Sequence, residues 1–275
     1  MQKTILITGA TDGIGLETAK LLAAEGHHLL LHGRNPAKLV QVEKILSGLT
    51  NGGVVETYVA DLSRMADVEA LAITVAEQHR NLDVLINNAG VYQAPVTVTA
   101  DGLDIRFAVN TIAPYLLTQR LLPLLGKSAR VINLSSAAQS PVNLEAMTAT
   151  DRLSDGAAYA QSKLALTMWS RSLALSLGSN GPAIIAINPG SMLASKMVKE
   201  AFSVAGRDLG IGAEILTRAA LTDEFAAATG LYFDNDSSRF ASPDPDALDQ
   251  RKTRQVVSII ETILSKITQQ YGNTQ

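Results

Sequence analysis

The chain has 275 residues, of which 47% are hydrophobic and 18% are charged. This composition excludes a disordered chain and provides enough apolar surface for one large α/β domain or two small ones. The formal net charge of −3, without any run of lysines or arginines, provides no basic surface for nucleic acid or an anionic membrane. The absence of cysteine excludes disulfides, thiolate nucleophiles and cysteine-bound metal clusters.

The start of the sequence leads directly into an apolar strand, without the apolar core and cleavage site of a signal peptide. No apolar stretch approaches the ~18 residues that a membrane span requires. We therefore expect a cytoplasmic protein without a membrane span. We also expect no metal site, because the histidines have no ligand spacing; they are His27, His28, His32 and His79.

Seven short β-rich runs alternate with helical segments along the chain, which predicts a doubly wound α/β fold with a mostly parallel seven-stranded sheet. Asn35 followed by Pro36 is typical of a helix start, and Gly26 is typical of a helix end. Apolar residues at spacings of three to four predict a final helix over residues 246–270. The predicted strands cover residues 4–8, 28–32, 54–59, 82–86, 130–134, 183–187 and 230–233.

No segment rich in proline, glycine or serine and no internal repeat divides the chain, so we predict a single domain over residues 1–275. Ligands of open α/β sheets bind outside the carboxyl ends of the strands. A less regular segment follows the sixth predicted strand, and we predict that it forms a substrate lid around residues 191–221. Its apolar residues, among them Met192 and Met197, line a substrate pocket or pack the lid on the core.

A glycine-rich turn joins the first predicted strand to a helix predicted at residues 16–25. The turn reads Thr8-Gly9-Ala10-Thr11-Asp12-Gly13-Ile14-Gly15. Its glycines let backbone amides approach a pyrophosphate, and the helix start presents unpaired N–H groups to that anion. The spacing Gly-x3-Gly-x-Gly is weak evidence alone, because Gly206, Gly210 and Gly212 repeat it where no strand precedes.

The end of the second predicted strand indicates which dinucleotide binds. An Asp or Glu about 20 residues after the turn would bind the ribose 2′-hydroxyl of NAD and repel the 2′-phosphate of NADP. The sequence there is His32-Gly33-Arg34-Asn35. Because the Arg34 guanidinium can bind a phosphate, NADP(H) is favoured over NAD(H). Asp12 opposes this preference, and Arg34 is alternatively an exposed charge at a helix start.

Tyr159 and Lys163 lie four residues apart in a predicted helix, so they share one helix face. An ammonium beside the phenol favours the phenolate. Lowering the pKa of a tyrosine by about three units takes roughly 4 kcal/mol, comparable to one charge at ~4 Å with an effective dielectric constant of ~20. One lysine, helped by an oxidised nicotinamide, then suffices to lower the pKa of Tyr159. An ordinary solvent-exposed pair is the alternative. We expect Leu166 and Trp169, on the same helix, to pack or to form a subunit contact.

Further motifs follow one another along the chain. They are Asp61-Leu62, Asn87-Asn88-Ala89-Gly90, Asn110, Asn133-Leu134-Ser135-Ser136, Tyr159-Ala160-Gln161-Ser162-Lys163 and Asn188-Pro189-Gly190. Together with the glycine turn, this set resembles the short-chain dehydrogenase/reductase family over roughly residues 3–234. The later motifs are most similar to its retinol-dehydrogenase-like branch. The resemblance implies a Rossmann-type fold and hydride transfer between a nicotinamide cofactor and an alcohol or carbonyl.

The resemblance also implies roles for single residues. Tyr159 is then the general acid for carbonyl reduction, Lys163 holds the nicotinamide ribose and Ser136 donates to the substrate oxygen. Asn110 anchors a water in a proton relay, or it is a helix-interior asparagine that satisfies a backbone group. The cofactor-binding candidates are Gly9, Thr11, Asp12, Gly13, Ile14, Gly15, Arg34, Asn35, Asp61, Leu62, Asn88, Ala89, Gly90, Tyr159, Lys163, Pro189, Gly190 and Met192.

One motif departs from the family pattern, since Ala194 stands where a threonine is expected and Ser195 follows it. We predict an oxidoreductase that transfers a hydride between NADP(H) and a small or apolar aldehyde or ketone. The low charge content and the resemblance imply a homodimer or homotetramer. The alternative is a non-catalytic NAD(P)-binding regulatory or scaffold protein.

Overall fold

The computed structural model describes residues 1–49, 51 and 53–272. Within these residues eight strands form one sheet, in the order β3-β2-β1-β4-β5-β6-β7-β8. Neighbouring strands run parallel except β7 and β8, which pair antiparallel. The strands are β1 Thr4–Ile7, β2 His28–Gly33, β3 Val55–Val59, β4 Val84–Asn87, β5 Arg130–Leu134, β6 Ala183–Asn188, β7 Tyr232–Asp234 and β8 Arg239–Ala241.

The predicted doubly wound α/β fold is confirmed, with one strand more than the seven expected. The additional strand, β8, has three residues and follows β7 through a short turn. Three residues are too few to show the alternation of apolar and polar residues that identifies a strand in a sequence. Phe240 in β8 pairs with Phe233 in β7, and their rings lie 5.1 Å apart, so tertiary packing stabilises this edge.

Helices cover both faces of the sheet. Leu6 packs into one hydrophobic core, while Ile5 and Ile7 pack into the other. This follows from the alternation of side chains along a strand. The helices are α1 Gly13–Ala24, α2 Pro36–Ser47, α3 Met65–Gln78, α4 Ile105–Phe107, α5 Ala113–Leu121, α6 Asp155–Leu177, α7 Lys196–Phe202, α8 Gly210–Leu221 and α9 Gln250–Gly272. The first core includes residues of α3, α5, α6 and α9, and the second includes residues of α1, α2 and α8.

Two helix starts depend on side-chain caps. The Asn35 side chain accepts a hydrogen bond from the Lys38 amide, with Pro36 at the first position of α2, as the sequence predicts. Helix α1 begins at Gly13, three residues before the predicted start. Its cap is the Asp12 side chain, which accepts from the Gly13 amide at 2.8 Å. The glycine turn and the first turn of α1 therefore overlap.

The final helix begins later than predicted. Asp244 and Pro245 start a 3₁₀ turn, Pro245–Ala247, and α9 then runs to Gly272. Its apolar side chains lie in the core beside α6, and the buried ones are Val256, Ile260, Ile263 and Ile267. No helix in the described part of the chain has the length and apolar character needed to cross a membrane.

Trp169 belongs to α6, and its side chain lies in the core beside α5. Its side chain is 0% exposed, and its ring meets that of Tyr115 edge-on at 5.5 Å. The Tyr115 hydroxyl donates to Glu261 of α9 at 2.9 Å. Trp169 therefore packs within the chain and does not form the subunit contact that the sequence left open.

We expect Trp169→Ala to lower the free energy of unfolding by about 3–5 kcal/mol, because it removes the largest fully buried side chain. Leu175→Ala in the same helix is the control. Leu175 is 58% exposed, so its loss should change stability by less than about 0.5 kcal/mol. Urea unfolding of both variants measures the difference, and similar losses would contradict this packing.

Candidate active site

A cleft of about 580 Å³ lies at the carboxyl ends of the parallel strands. Of the predicted cofactor-binding residues, those in its wall are Gly9, Thr11, Asp12, Gly13, Ile14, Arg34, Asn35, Asp61, Leu62, Asn88, Ala89, Gly90, Tyr159, Lys163 and Pro189. Ser195 also lines it. The wall, as far as the described residues show it, does not include Gly15, Asn110, Ser136, Gly190 or Met192.

The glycine turn packs against the end of β4. Gly9 has a φ of +67°, and a Cβ there would lie 2.9 Å from the Cα of Ala89. A Cβ on Gly15 would collide with the Gly9 carbonyl and the Asn88 amide. The Asn88 side chain donates to the carbonyls of Thr8 and Gly9, at 2.8 and 3.1 Å. Gly15 and Asn88 therefore hold the shape of the turn.

The space in front of α1 fits an anionic group. The Gly13 amide donates to Asp12, whereas the next N–H groups at the start of an α-helix have no partner within the helix and are available as donors. Among the described residues, a Cβ built on Gly13 would meet only the Cβ of Ser195 within 4 Å, at 3.8 Å. Glycine therefore leaves the helix start open toward the cleft. These donors and this space suit a pyrophosphate.

Two cations lie at the end of the cleft beside β2. Arg34 is exposed and has no ion-pair or hydrogen-bond partner among the described residues. Lys38, which the sequence analysis missed, also lines the cleft, with Nζ 3.7 Å from Oδ2 of Asp12. Its spacing of four residues from Arg34 at a helix start was the available signal. The Asp12 carboxylate is paired with Lys38 and caps α1, so it repels a 2′-phosphate less than an unpaired carboxylate would.

Lys163 is deeply buried. Its side chain lies under the end of β5, where Nζ donates to the carbonyl of Leu134 at 2.7 Å. Nζ is 5.6 Å from the centre of the Tyr159 ring, so the two residues face the same cleft. Burial lowers the pKa of Lys163 to about 8.

In the protein without a cofactor the pKa of Tyr159 is raised, whereas the sequence predicts a lowered pKa once Lys163 and an oxidised nicotinamide act together. Burial raises the pKa of the phenol, and this effect outweighs the hydrogen bond from Ser136 that lowers it. The neighbouring Tyr92, whose ring is 5.1 Å away, raises it further. Desolvation disfavours the charged phenolate relative to the neutral phenol. In the protein alone, Tyr159 is held as a neutral phenol.

The two serines after β5 have different surroundings. Ser135 is buried, and its hydroxyl lies 2.7 Å from that of Thr167, so it joins the strand end to α6. Ser136 is the serine that hydrogen-bonds to Tyr159. The Ser136 carbonyl accepts from Gln139 Nε2 at 2.9 Å and from the Tyr232 hydroxyl at 3.1 Å. These contacts fix Ser136 beside the phenol.

Asn110 lies in the π-helical turn Ala108–Ile112 and is 1% exposed. Its side chain accepts from the Val91 amide at 2.8 Å and donates to the Val91 carbonyl and to Ser162, at 2.9 and 3.0 Å. The side-chain amide of Asn110 therefore has protein partners at both its oxygen and its nitrogen. Pro114, four residues on, has no N–H to donate to the backbone carbonyl of Asn110, and π turns are frequent at functional sites.

A buried arginine joins the segment before Asn110 to the helix that carries Tyr159. Arg106 is 1% exposed and pairs with Asp104 at 2.8 Å and with Asp155, the first residue of α6, at 3.1 Å. Breaking a buried pair leaves an uncompensated charge. The start of α6 is therefore fixed relative to the π turn.

The remaining predicted residues lie in two loops. The carboxylate of Asp61, which lines the cleft, accepts from the Ser63 amide and hydroxyl at 3.0 and 2.8 Å. Ser195 caps α7 by accepting from the Val198 amide at 3.2 Å. Met192 adopts a left-handed conformation and is 40% exposed. The lining residues that the sequence analysis did not assign to the site include Lys38, Val91, Tyr92, Gln93, Lys196 and Glu200.

Comparison with known proteins identifies the family. A model of the short chain dehydrogenase family matches residues 3–206. The chain belongs to the short-chain dehydrogenase/reductase family. It is 32% identical to human retinol dehydrogenase 13, and the match covers 92% of this chain and 82% of that protein. The predicted resemblance to the retinol-dehydrogenase-like branch is confirmed.

Two solved structures that are similar to this chain contain NADP. A short chain dehydrogenase from Burkholderia cenocepacia in complex with NADP has 25% identity and a TM-score of 0.67, covering 85% of this chain and 95% of that one. The angucycline C-6 ketoreductase LanV with bound NADP has 27% identity and a TM-score of 0.67, covering 85% and 93%. The chain is therefore an NAD(P)-dependent oxidoreductase with a nicotinamide cofactor and a small-molecule substrate.

Replacing the buried ammonium should stabilise the protein near neutral pH. The folded pKa of Lys163, about 8, is below the ~10.4 of an unfolded lysine, so between these values the unfolded chain binds more protons. Stability of the wild type therefore rises with pH across that window. We expect Lys163→Met to be more stable than the wild type by about 1–3 kcal/mol at pH ~7, with a gap that shrinks toward pH ~10.

Urea unfolding at several pH values measures that gap. Lys266→Met, at an exposed position of α9, is the control and should differ from the wild type by the same amount at every pH. A gap for Lys163→Met that stays constant or widens with pH would contradict the lowered pKa.

Proposed function

We propose that the protein reduces a small or apolar aldehyde or ketone with NADPH and catalyses the reverse oxidation of the alcohol. The observation that carries this proposal is the meeting of Tyr159, Lys163 and the glycine turn in one cleft. The supporting comparisons are with a retinol dehydrogenase and with an NADP-bound ketoreductase. A non-catalytic role is not favoured, because Ser136 and Tyr159 are hydrogen-bonded beside that cleft.

The cofactor would lie along the cleft. The start of α1 would bind the pyrophosphate, and Arg34 with Lys38 would bind the 2′-phosphate. Lys163 would hold the nicotinamide ribose through its ammonium. We therefore propose NADP(H) as the preferred cofactor. Two cations, Arg34 and the Asp12-paired Lys38, favour a phosphate over a hydroxyl at that end of the cleft.

Bound NADPH would supply the hydride for the carbonyl carbon. Tyr159 donates its phenolic proton to the carbonyl oxygen, while Ser136 donates a hydrogen bond to the same oxygen as negative charge develops. The phenolate that results is stabilised by Lys163 and regains a proton by way of a water at the Asn110 carbonyl. Because burial raises the pKa of Tyr159, the protein alone keeps this residue in the protonated form that reduction requires.

Apolar side chains support the substrate class. Val91, Tyr92 and Met197 line the cleft together with Tyr159. The methionine is flexible enough to pack against substrates of different shape. The predicted lid over residues 191–221 contains α7, which lines the cleft, and α8, which packs in the core. A single domain, a cytoplasmic location and a homodimer or homotetramer stay predictions.

We expect Tyr159→Phe to lower kcat for carbonyl reduction by about 10²–10⁴-fold, because the proton donor is removed. Its Kd for NADPH should change by less than about 3-fold, since the ring and the fold remain. The loss of NADPH absorbance with a panel of apolar aldehydes and ketones measures turnover, and calorimetry measures binding.

Tyr271→Phe, at an exposed position of α9, is the matched control and should keep wild-type turnover. Equal turnover by Tyr159→Phe and the wild type would contradict the role of the phenol. Binding of NADPH without turnover in the wild type, across the whole panel, would favour the non-catalytic alternative.

We expect Arg34→Ala and Lys38→Ala each to raise the Kd for NADPH by about 10-fold or more, because each removes a charged donor to the 2′-phosphate. The Kd for NADH should stay within about 2-fold of the wild-type value. Lys44→Ala, an exposed lysine of the same helix outside the cleft, should change neither. Equal increases in the Kd for NADPH and the Kd for NADH would mean that these residues do not bind the 2′-phosphate.

A further inference from the structure

The segment that follows β6 forms a loop whose two ends meet. Leu193 and Arg207 form a β-bridge. The Ala194 amide donates to the Arg207 carbonyl, and the Arg207 amide donates to the Met192 carbonyl, both at 2.7 Å. A Cβ on Gly206 would lie 2.6 Å from the Cα of Ala194, so the ends are in close contact. We call residues 191–207 the lid loop.

The lid loop carries α7 to the edge of the cleft. Ser195, Lys196 and Met197 line the cleft from this helix and its cap. The Ser195 Cβ is 3.8 Å from the position that a Cβ on Gly13 would occupy, at the start of α1. The position of the loop base therefore decides how α7 faces the proposed pyrophosphate site.

The turn between β7 and β8 contacts both ends of the lid loop. The Asp236 carboxylate accepts from the Ser191 amide at 2.9 Å and from the Ser191 hydroxyl at 2.5 Å, at the first end. It also accepts from Arg207 Nη1 at 3.1 Å, at the second end. One side chain thus closes the base of the loop.

Neighbouring contacts strengthen this closure. Asn188, at the end of β6, donates from Nδ2 to Asp236 at 2.9 Å. Asn235 donates to the carbonyls of Pro189 and Ile211, at 2.9 and 3.3 Å, which flank the lid loop on either side. The turn therefore joins β6, the lid loop and α8 at one place.

The carboxylate of Asp236 is in the charged form that these contacts require. Burial would raise the pKa of Asp236, but the hydrogen bonds from Ser191, Asn188 and Arg207 outweigh burial and hold the pKa below its usual value. Hydrogen bonds to an ionised acceptor are stronger than those between neutral groups.

We propose that Asp236 is a positioning residue that acts through Ser191 and Arg207 to hold α7 over the cofactor cleft. This inference rests on the proposed function, because the cleft that α7 covers is the proposed NADPH site. Asp236 itself does not line the cleft. Its removal should therefore free the lid loop and weaken cofactor binding without removing any group that touches the cofactor.

The test compares Asp236→Ala with Asp234→Asn. Asp234 lies in the same turn region and carries the same charge, but its hydrogen-bond partners among the described residues are Asn188, Asp236 and Ser237 rather than either end of the lid loop. Trypsin cleaves after Lys196 and Lys199, both in α7, and mass spectrometry follows the rate at each site. We expect Asp236→Ala to speed cleavage at these sites by about 10-fold, with an unchanged urea midpoint, and Asp234→Asn to cleave at close to the wild-type rate.

Calorimetry with NADPH is the second measurement. We expect the Kd of Asp236→Ala to rise by about 10-fold while kcat at saturating NADPH stays within about 3-fold, because the catalytic groups are intact. Arg207→Met removes one contact of Asp236 and should shift both measurements in the same direction by less. It also serves as the test variant if Asp236→Ala does not fold.

Three results would overturn the proposal. The first is a wild-type cleavage rate and Kd in Asp236→Ala, and the second is an equal increase in cleavage for Asp234→Asn. The third is faster cleavage at every tryptic site with a lower urea midpoint, which would indicate global destabilisation. If the wild type binds no NADPH, the proposed function fails, whereas the proteolysis measurement still decides whether Asp236 holds the lid loop.

Discussion

The ammonium group of Lys163 lies inside the protein, 2.7 Å from the carbonyl oxygen of Leu134. Leu134 ends β5, and Ser136 follows it two residues later, while Lys163 itself belongs to α6 with Tyr159. One hydrogen bond therefore joins the strand end that carries Ser136 to the helix that carries Tyr159. Burying a cation without a carboxylate partner is costly, so the site keeps this arrangement at the expense of stability.

The same burial acts on both titratable groups and moves their pKa values toward each other. It lowers the pKa of Lys163 to about 8 and raises the pKa of Tyr159. Each shift favours the neutral form, so in the protein alone Tyr159 keeps its proton, and a raised pKa makes that phenol a weaker acid. Oxidation of an alcohol needs the phenolate instead. Lys163, with a pKa of about 8, is still charged near neutral pH and favours the phenolate, and an oxidised, cationic cofactor would favour it further.

The parts of the site that the sequence predicts are local in the chain. The glycine turn follows directly after β1, and Tyr159 and Lys163 are one helical turn apart, so spacing alone brings them together. Contacts between distant segments gave no such signal. Asp236 meets Ser191 and Arg207, which are 45 and 29 residues away, through the packing of β8, a strand too short to predict. The raised pKa of Tyr159 in the protein without a cofactor gave no signal either, since burial is a property of the folded chain.

The protein raises the pKa of Tyr159, and we expect an oxidised cofactor to lower it. The most direct measurement is a pH titration of the near-ultraviolet absorbance of tyrosinate, with and without saturating NADP⁺. Subtracting the titration of Tyr159→Phe isolates this one phenol. We expect the ionisation midpoint of Tyr159 to lie above the usual value of about 10 in the free protein and well below it in the complex. A midpoint that is the same in both states, or one below ~10 in the free protein, would contradict it.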